Sequence, residues 1–139
     1  MIEFAVQSTD DIHSNEVFRS IKILEFRSEK SRSFMRFSIK VPDLFVNAQG
    51  EVNRGAIGAY IDNLTGILIY AVDIPASPLM SVNISIDFYA PIPKGSVVEA
   101  ITEIEKSGKF VKFLKIYFYA GGTLAATGTH LLTSKPPKL

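Results

Sequence analysis

The chain contains no cysteine, which excludes disulfides, thiolate metal sites and a cysteine nucleophile. Its two histidines, His13 and His130, stand far apart in the sequence and form no metal-ligand pattern, so no zinc site is expected. Neither sign of charge is in excess. Fifteen Lys and Arg against 14 Asp and Glu leave a formal net charge of +1, too little for the broad basic field of a nucleic-acid binder. No stretch approaches the roughly 20 apolar residues needed to span a bilayer, and the N-terminus, MIEFAVQSTDD, lacks the basic-then-apolar order of a secretion signal. These absences point to a soluble, intracellular protein of the cytoplasm or, with a transit peptide removed, the mitochondrion. Internal repeats, low-complexity tracts and linkers are also lacking.

What is present suits one globular domain. At 139 residues, 47% hydrophobic and 21% charged, the chain is long enough for a single core and too short for two. One domain is therefore expected over 1–139, with its core over about 20–133 and a loose tail at 134–139.

Residues 8–20 carry helix-starting polar groups and a few apolar positions, which suggests a short helix. IKILEF (21–26) and FMRFSIKV (34–41) are rich in β-branched and aromatic residues and read as strands. Residues 54–72 have the length of a helix, with Asn53 as its N-cap and Pro75 just beyond its end. Apolar residues fall on nearly every side of this helix, so protein is expected all around it. After Pro78 the rhythm changes to period two. In SVNISIDFY (81–89), Val82, Ile84, Ile86 and Phe88 share one face, while Ser81, Asn83, Ser85, Asp87 and Tyr89 share the other. Three further strands follow at 96–105, 110–120 and 123–133, joined by KSGK and by GG. A mostly antiparallel sheet with one face to cover and one long apolar helix predicts an α+β fold of the hotdog type, the sheet wrapped around a central helix.

That helix holds one carboxylate, Asp62. Gly58 and Gly66 lie four residues to either side on the same face, with Gly55 and Ala59 alongside. Glycine inside a helix costs about 1 kcal/mol relative to alanine, so the pattern suggests that space beside Asp62 is wanted. Asp62 is then either a general base or nucleophile facing a ligand, or a structural hydrogen-bonding group at a close packing contact.

In order and spacing, Asn47, Gly50, Gly55 and Asp62, the strand SVNISIDFYAPIPKGS and the turn KSGK resemble the hotdog-fold acyl-CoA thioesterases of the PaaI and human acyl-CoA thioesterase 13 type. The likeness covers about residues 20–133. It implies hydrolysis of an acyl-CoA, with CoA as part of the substrate and no separate cofactor. Asp62 would activate water or attack the acyl carbon, Gly55 would offer its backbone N–H to the thioester oxygen, and Asn47 would orient the thioester or the water. Ser81 aligns with a serine that assists the water from across a dimer interface, and its alternative role is a local hydroxyl bond at the strand start. The family's His-Gly is Asn53-Arg54 here. Asn53 still has an amide to donate to a carbonyl, and Arg54 would bind a CoA phosphate, occlude the pocket or face solvent. Lys94, Lys106 and Lys109 lie in turns where the family holds the nucleotide end of CoA. The resemblance further implies a homodimer, or a dimer of dimers (a homotetramer), paired through the strand at 81–89. The competing expectation, supported by Asn53, is a weak or inactive hotdog protein that binds an acyl group or CoA or serves as a subunit of a larger assembly.

Overall fold

The structure, a computed structural model, describes residues 12–29, 32–72 and 78–134. Its elements follow in the expected order: helix α1 (Ile12–Ser20), strands β1 (Ile21–Ser28) and β2 (Ser33–Lys40), a 3-10 turn (Asp43–Phe45), helix α2 (Arg54–Val72), and strands β3 (Leu79–Phe88), β4 (Val97–Ser107), β5 (Val111–Ala120) and β6 (Thr123–Ser134). The expected helix start at 8–11 and the tail at 135–139 lie outside the described residues. Ser134, expected in the tail, closes β6 instead and pairs with Leu79.

All strand pairs are antiparallel, in the order β1-β2-β4-β5-β6-β3. The chain crosses from β2 to the far edge at β3 by way of α2, and this crossover lays the helix over the concave face of the sheet. Alternation then does its ordinary work. Phe37 and Ile39 from β2, Val98 and Ala100 from β4, and Leu114, Ile116 and Phe118 from β5 are buried in one core with Ile57, Tyr60, Ile61, Leu64 and Leu68 of α2. Against the expectation that no stretch is long and apolar enough to span a bilayer, α2 is so by length and composition, but these buried residues make it the core helix of the domain. α1 packs across it. Ser20 Oγ donates to Val17 O at 2.7 Å and lies 2.6 Å from Tyr60 Oη, so the tyrosine hydroxyl donates to the serine. Burial pushes the Tyr60 phenol up to about 12.

Two sequence expectations need correction. First, α2 is not surrounded by protein: Gly55, Asp62 and Tyr70 are exposed, and Ala59 and Gly66 are half-exposed. Their spacing of three and four residues makes a single solvent-facing stripe. The hydrophobicity of the other faces concealed it, because two glycines and an alanine add little polarity. Second, the alternation in β3 breaks at Val82. Ser81 pairs with Leu132 while Asn83 pairs with Leu131, leaving Val82 as the extra residue of a β-bulge. Beyond the bulge the face reverses, so Ser81 shares the helix-facing side with Ile84 and Ile86. Bulges re-aim side chains in this way.

Candidate functional site

The close approach of β6 to α2 begins at Gly128. A Cβ there would stand 2.5 Å from Ile61 Cδ1 and 3.1 Å from Ile116 Cγ2, so any larger residue would displace the Ile61 side chain that the strand packs against. Two residues further along the strand and four along the helix are nearly the same step, about 6 Å each. His130 accordingly meets Thr65. Its side chain is fully buried, with Nδ1 2.7 Å from Thr65 Oγ1 and Nε2 2.7 Å from Ser81 Oγ. Ser81 Oγ in turn lies 3.4 Å from Asp62 Oδ1, and His130 Nε2 lies 4.0 Å from the same oxygen.

The buried end of this row supports one direction for its hydrogen bonds, in which Ser81 gives its hydrogen to His130 at 2.7 Å rather than to Asp62 at 3.4 Å. Thr65 donates its single hydroxyl hydrogen to Ile61 O at 2.7 Å, so its oxygen accepts from His130 Nδ1–H. Burial lowers the His130 pKa below its ordinary 6.5, a shift that the nearby Asp62 charge opposes, and the ring is neutral at pH 7. Neutral Nε2 is then a bare acceptor and takes the hydroxyl hydrogen of Ser81. Ser81 therefore presents only lone pairs on its open side. Asp62, with its side chain 60% exposed, presents carboxylate lone pairs next to them. A water molecule resting between the two would give one hydrogen to each and turn its own lone pair outward.

The start of α2 is a second cluster. Asn53 Oδ1 accepts from the Ala56 N–H at 2.9 Å, the helix cap expected from the sequence. Asn47 Oδ1 accepts from the N–H groups of Gln49 and Glu51 at 3.0 and 3.1 Å. Both asparagines thus use their oxygen to shape the loop, which leaves each Nδ2 without a protein partner among the described residues. The Arg54 and Gly55 backbone N–H groups also have no partner there, as the geometry of a helix start requires. Gly55 was the donor expected from the sequence, and Arg54 adds a second. A backbone donor does not depend on its side chain, so arginine in place of glycine at position 54 removes nothing from this set.

The structure therefore brings Asp62 to Ser81, and Asn47 to Asn53, Arg54 and Gly55, but it keeps the two groups apart. Gly55 and Asp62 are seven residues apart on one helix, about 10 Å along its axis. The lysines divide likewise. Lys94 sits beside the loop before α2, its N–H donating to Gly50 O and its Nζ 3.8 Å from Asp43. Lys106 and Lys109 stand roughly 35 Å away at the other end of β4, on the Ser81 side. Lys109 lies over the ring of Phe110 at 5.3 Å. His130 and Thr65 were missed in the sequence. A lone histidine in a strand carries no motif, and the one available signal was a polar residue at an inward-facing position of β6.

A sequence profile described as the thioesterase superfamily matches residues 49–126, more than half of the chain. The chain belongs to the thioesterase superfamily. The matched segment contains both clusters except for Asn47 and His130, and it includes the whole of α2 and β3. No curated protein matches the chain significantly in sequence. Among solved structures, the zebrafish thioesterase superfamily member 2 is similar over 96% of this chain and 94% of its own, at 18% identity and a TM-score of 0.79. A phenylacetic acid degradation-related protein from Ralstonia eutropha is similar over 95% of this chain and 98% of its own, at 19% identity and TM-score 0.75. A hypothetical thioesterase protein from Streptococcus pneumoniae, whose structure includes coenzyme A, is similar over 87% of this chain and 90% of its own, at 13% identity and TM-score 0.73. These likenesses establish the hotdog fold for this member of the superfamily.

Proposed function

We propose that the chain hydrolyses the thioester of an acyl-CoA to a free acid and CoA, with Asp62 as general base toward a water molecule that Ser81 helps to hold. The observation that carries this reading is the row of close polar contacts from Thr65 through His130 to Ser81 and on to Asp62. It makes Ser81 an acceptor beside a carboxylate and so orients water for attack, and a purely structural Asp62 has no need of it. The water oxygen bonds to the thioester carbon as Asp62 takes its proton. The negative charge that develops on the carbonyl oxygen is met by backbone N–H donors, and the C–S bond then breaks as the proton passes from Asp62 to the departing sulfur.

Those donors cannot belong to the same copy. A thioester oxygen held on the Gly55 N–H lies about 10 Å from the level of Asp62, too far for the water bound there. A second copy pairing along the free edge of β3 resolves this. It covers the exposed stripe of α2 and sets the helix start of one copy beside Asp62 of the other. Gly66 fits such a contact, since a Cβ there meets nothing within 4 Å in one protomer. In this arrangement Arg54 and Gly55 supply the N–H groups, Asn47 and Asn53 supply free amides nearby, and Lys94 of one copy faces the same site as Lys106 and Lys109 of the other, available to CoA phosphates. CoA enters as part of the substrate, and no cofactor is required.

A hydrolysis screen over a panel of acyl-CoAs, read by thiol release and run beside Asp62→Asn, tests the reading. Turnover by the parent and its loss in the variant are expected. Binding of CoA esters without turnover of any would identify a binder or an assembly subunit, and full activity in Asp62→Asn would remove Asp62 from the chemistry. Light scattering should show at least a dimer, and a stable monomer at micromolar concentration would contradict the shared site.

A further inference from the structure

Beside the start of α2 lies a cavity of about 320 Å³ whose walls include Asn47, Val52, Ile57, Phe88 and Ile92, with Arg54 at its rim. The Arg54 guanidinium stacks on the Phe88 ring, 4.7 Å from its centroid. Glu51 lines the same cavity, yet no ion pair joins it to Arg54 among the described residues. The guanidinium thus rests over an aromatic face, and none of its N–H groups has a partner among the described residues. A planar fork held this way is suited to a carboxylate, which it binds through two parallel hydrogen bonds. Stacking on a ring leaves the edges of the fork free.

We propose that Arg54 selects acyl groups ending in a carboxylate, so that the preferred substrates are thioesters of short dicarboxylic acids. This deepens the thioesterase reading and rests on it for the site, because the cavity adjoins the Arg54 and Gly55 N–H groups assigned to the thioester oxygen. With that oxygen on the backbone donors, an acyl chain of a few carbons turned into the cavity brings its far end to the side chain of the same residue. The apolar side chains of Val52, Ile57, Phe88 and Ile92 accommodate the methylenes, and the guanidinium meets the terminal charge. A CoA phosphate offers the same anionic chemistry, and the choice of carrier in the test distinguishes the two sources.

The test uses unreactive thioethers, so that binding is read whether or not the chain catalyses. Calorimetry compares a 4-carboxybutyl with a pentyl group, each on CoA and on N-acetylcysteamine, which has no phosphate. For the parent, the carboxylated ligand is expected to bind about ten- to a hundredfold more tightly on both carriers. In Arg54→Met, which keeps an apolar contact with Phe88, that ratio should collapse toward one, and Arg54→Lys should restore it only in part because lysine has no planar fork. An unchanged ratio in Arg54→Met overturns the proposal, as does the absence of binding by any of the four ligands. A loss shared by both CoA ligands and absent from both N-acetylcysteamine ligands also overturns it and assigns Arg54 to a phosphate. Hydrolysis of the glutaryl and pentanoyl thioesters, measured in parallel, reports separately on catalysis.

Discussion

From Thr65 to Ser81 each hydrogen bond finds its partner inside one protomer, and the row stops with open lone pairs on Ser81 and Asp62. At the start of α2 the side-chain oxygens of Asn47 and Asn53 are occupied by backbone N–H groups, and what remains open is a set of donors. In this direction of bonding, Ser81 and Asp62 offer acceptors and the start of α2 offers backbone and amide donors, Asp62 and that start being on the same helix but about 10 Å apart. Hydrolysis of a thioester needs both kinds, acceptors for water protons and donors for the carbonyl oxygen. On the proposed reading, the difference between the two regions is the reason that a single copy would be incomplete. It also locates the departures from the family pattern. Both of them, Asn53 and Arg54, fall in the donor region, where the proposed donors are backbone N–H groups that do not depend on the side chain.

If the comparison holds, changes in the acceptor region should act mainly on rate, and changes in the donor region's caps should act mainly on stability. The largest effect is expected from Asp62→Asn, which removes the base. Its kcat should fall about a thousandfold with a little-changed melting temperature, because the carboxylate is largely exposed and its contact with Ser81 Oγ is long, at 3.4 Å. Ser81→Ala removes one of the two acceptors of the water. A loss of about 1–2 kcal/mol of orientation, about five- to thirtyfold in kcat, should appear in steady-state kinetics, and KM should change little. Asn53→Ala should behave in the opposite way, losing about 1 kcal/mol of stability with the helix cap while turnover per folded molecule is unchanged. A hundredfold drop in its rate would instead make the Asn53 amide a donor to the substrate and blur the division.

The smallest effect concerns pH. His130 is held below its ordinary 6.5, chiefly by burial. Above 6.5 the ring is neutral whether the chain is folded or unfolded, and stability is full. As pH falls below 6.5 the unfolded chain takes up a proton that the folded chain resists, so stability declines until the folded pKa is reached. Urea unfolding at pH 7.5 and 5.5 should therefore show a larger acid loss for the parent than for His130→Gln. Equal losses would show that the ring is not kept neutral, and the assigned direction of the Ser81 bond would fail with it.

Much of this was legible in the residues. The period-two strands, the length of α2 between Asn53 and Pro75, and the placement of Asp62 among glycines gave the architecture and one half of the site, because each rests on local periodicity or local turn chemistry. The remainder depends on distant pairing. The bulge at Val82 is set by how β3 meets β6, so simple alternation put Ser81 on the wrong face. His130 gains meaning only where Gly128 lets β6 approach Ile61 and Thr65. The exposed stripe of α2 was hidden because small residues read as apolar while leaving a surface open.

The central claim, that acceptors from one copy and donors from another make each site, is tested most directly by complementation. Arg54→Pro removes one backbone N–H at a helix position that tolerates proline, and Asp62→Asn removes the base. Each variant alone should be nearly inactive on a simple acyl-CoA. When the two are mixed in equal amounts and allowed to exchange subunits, half of the dimers carry one copy of each, and one of their two sites has both intact halves. Activity is predicted to return to about a quarter of the parental value. A mixture that stays at the level of its two components would contradict the shared site.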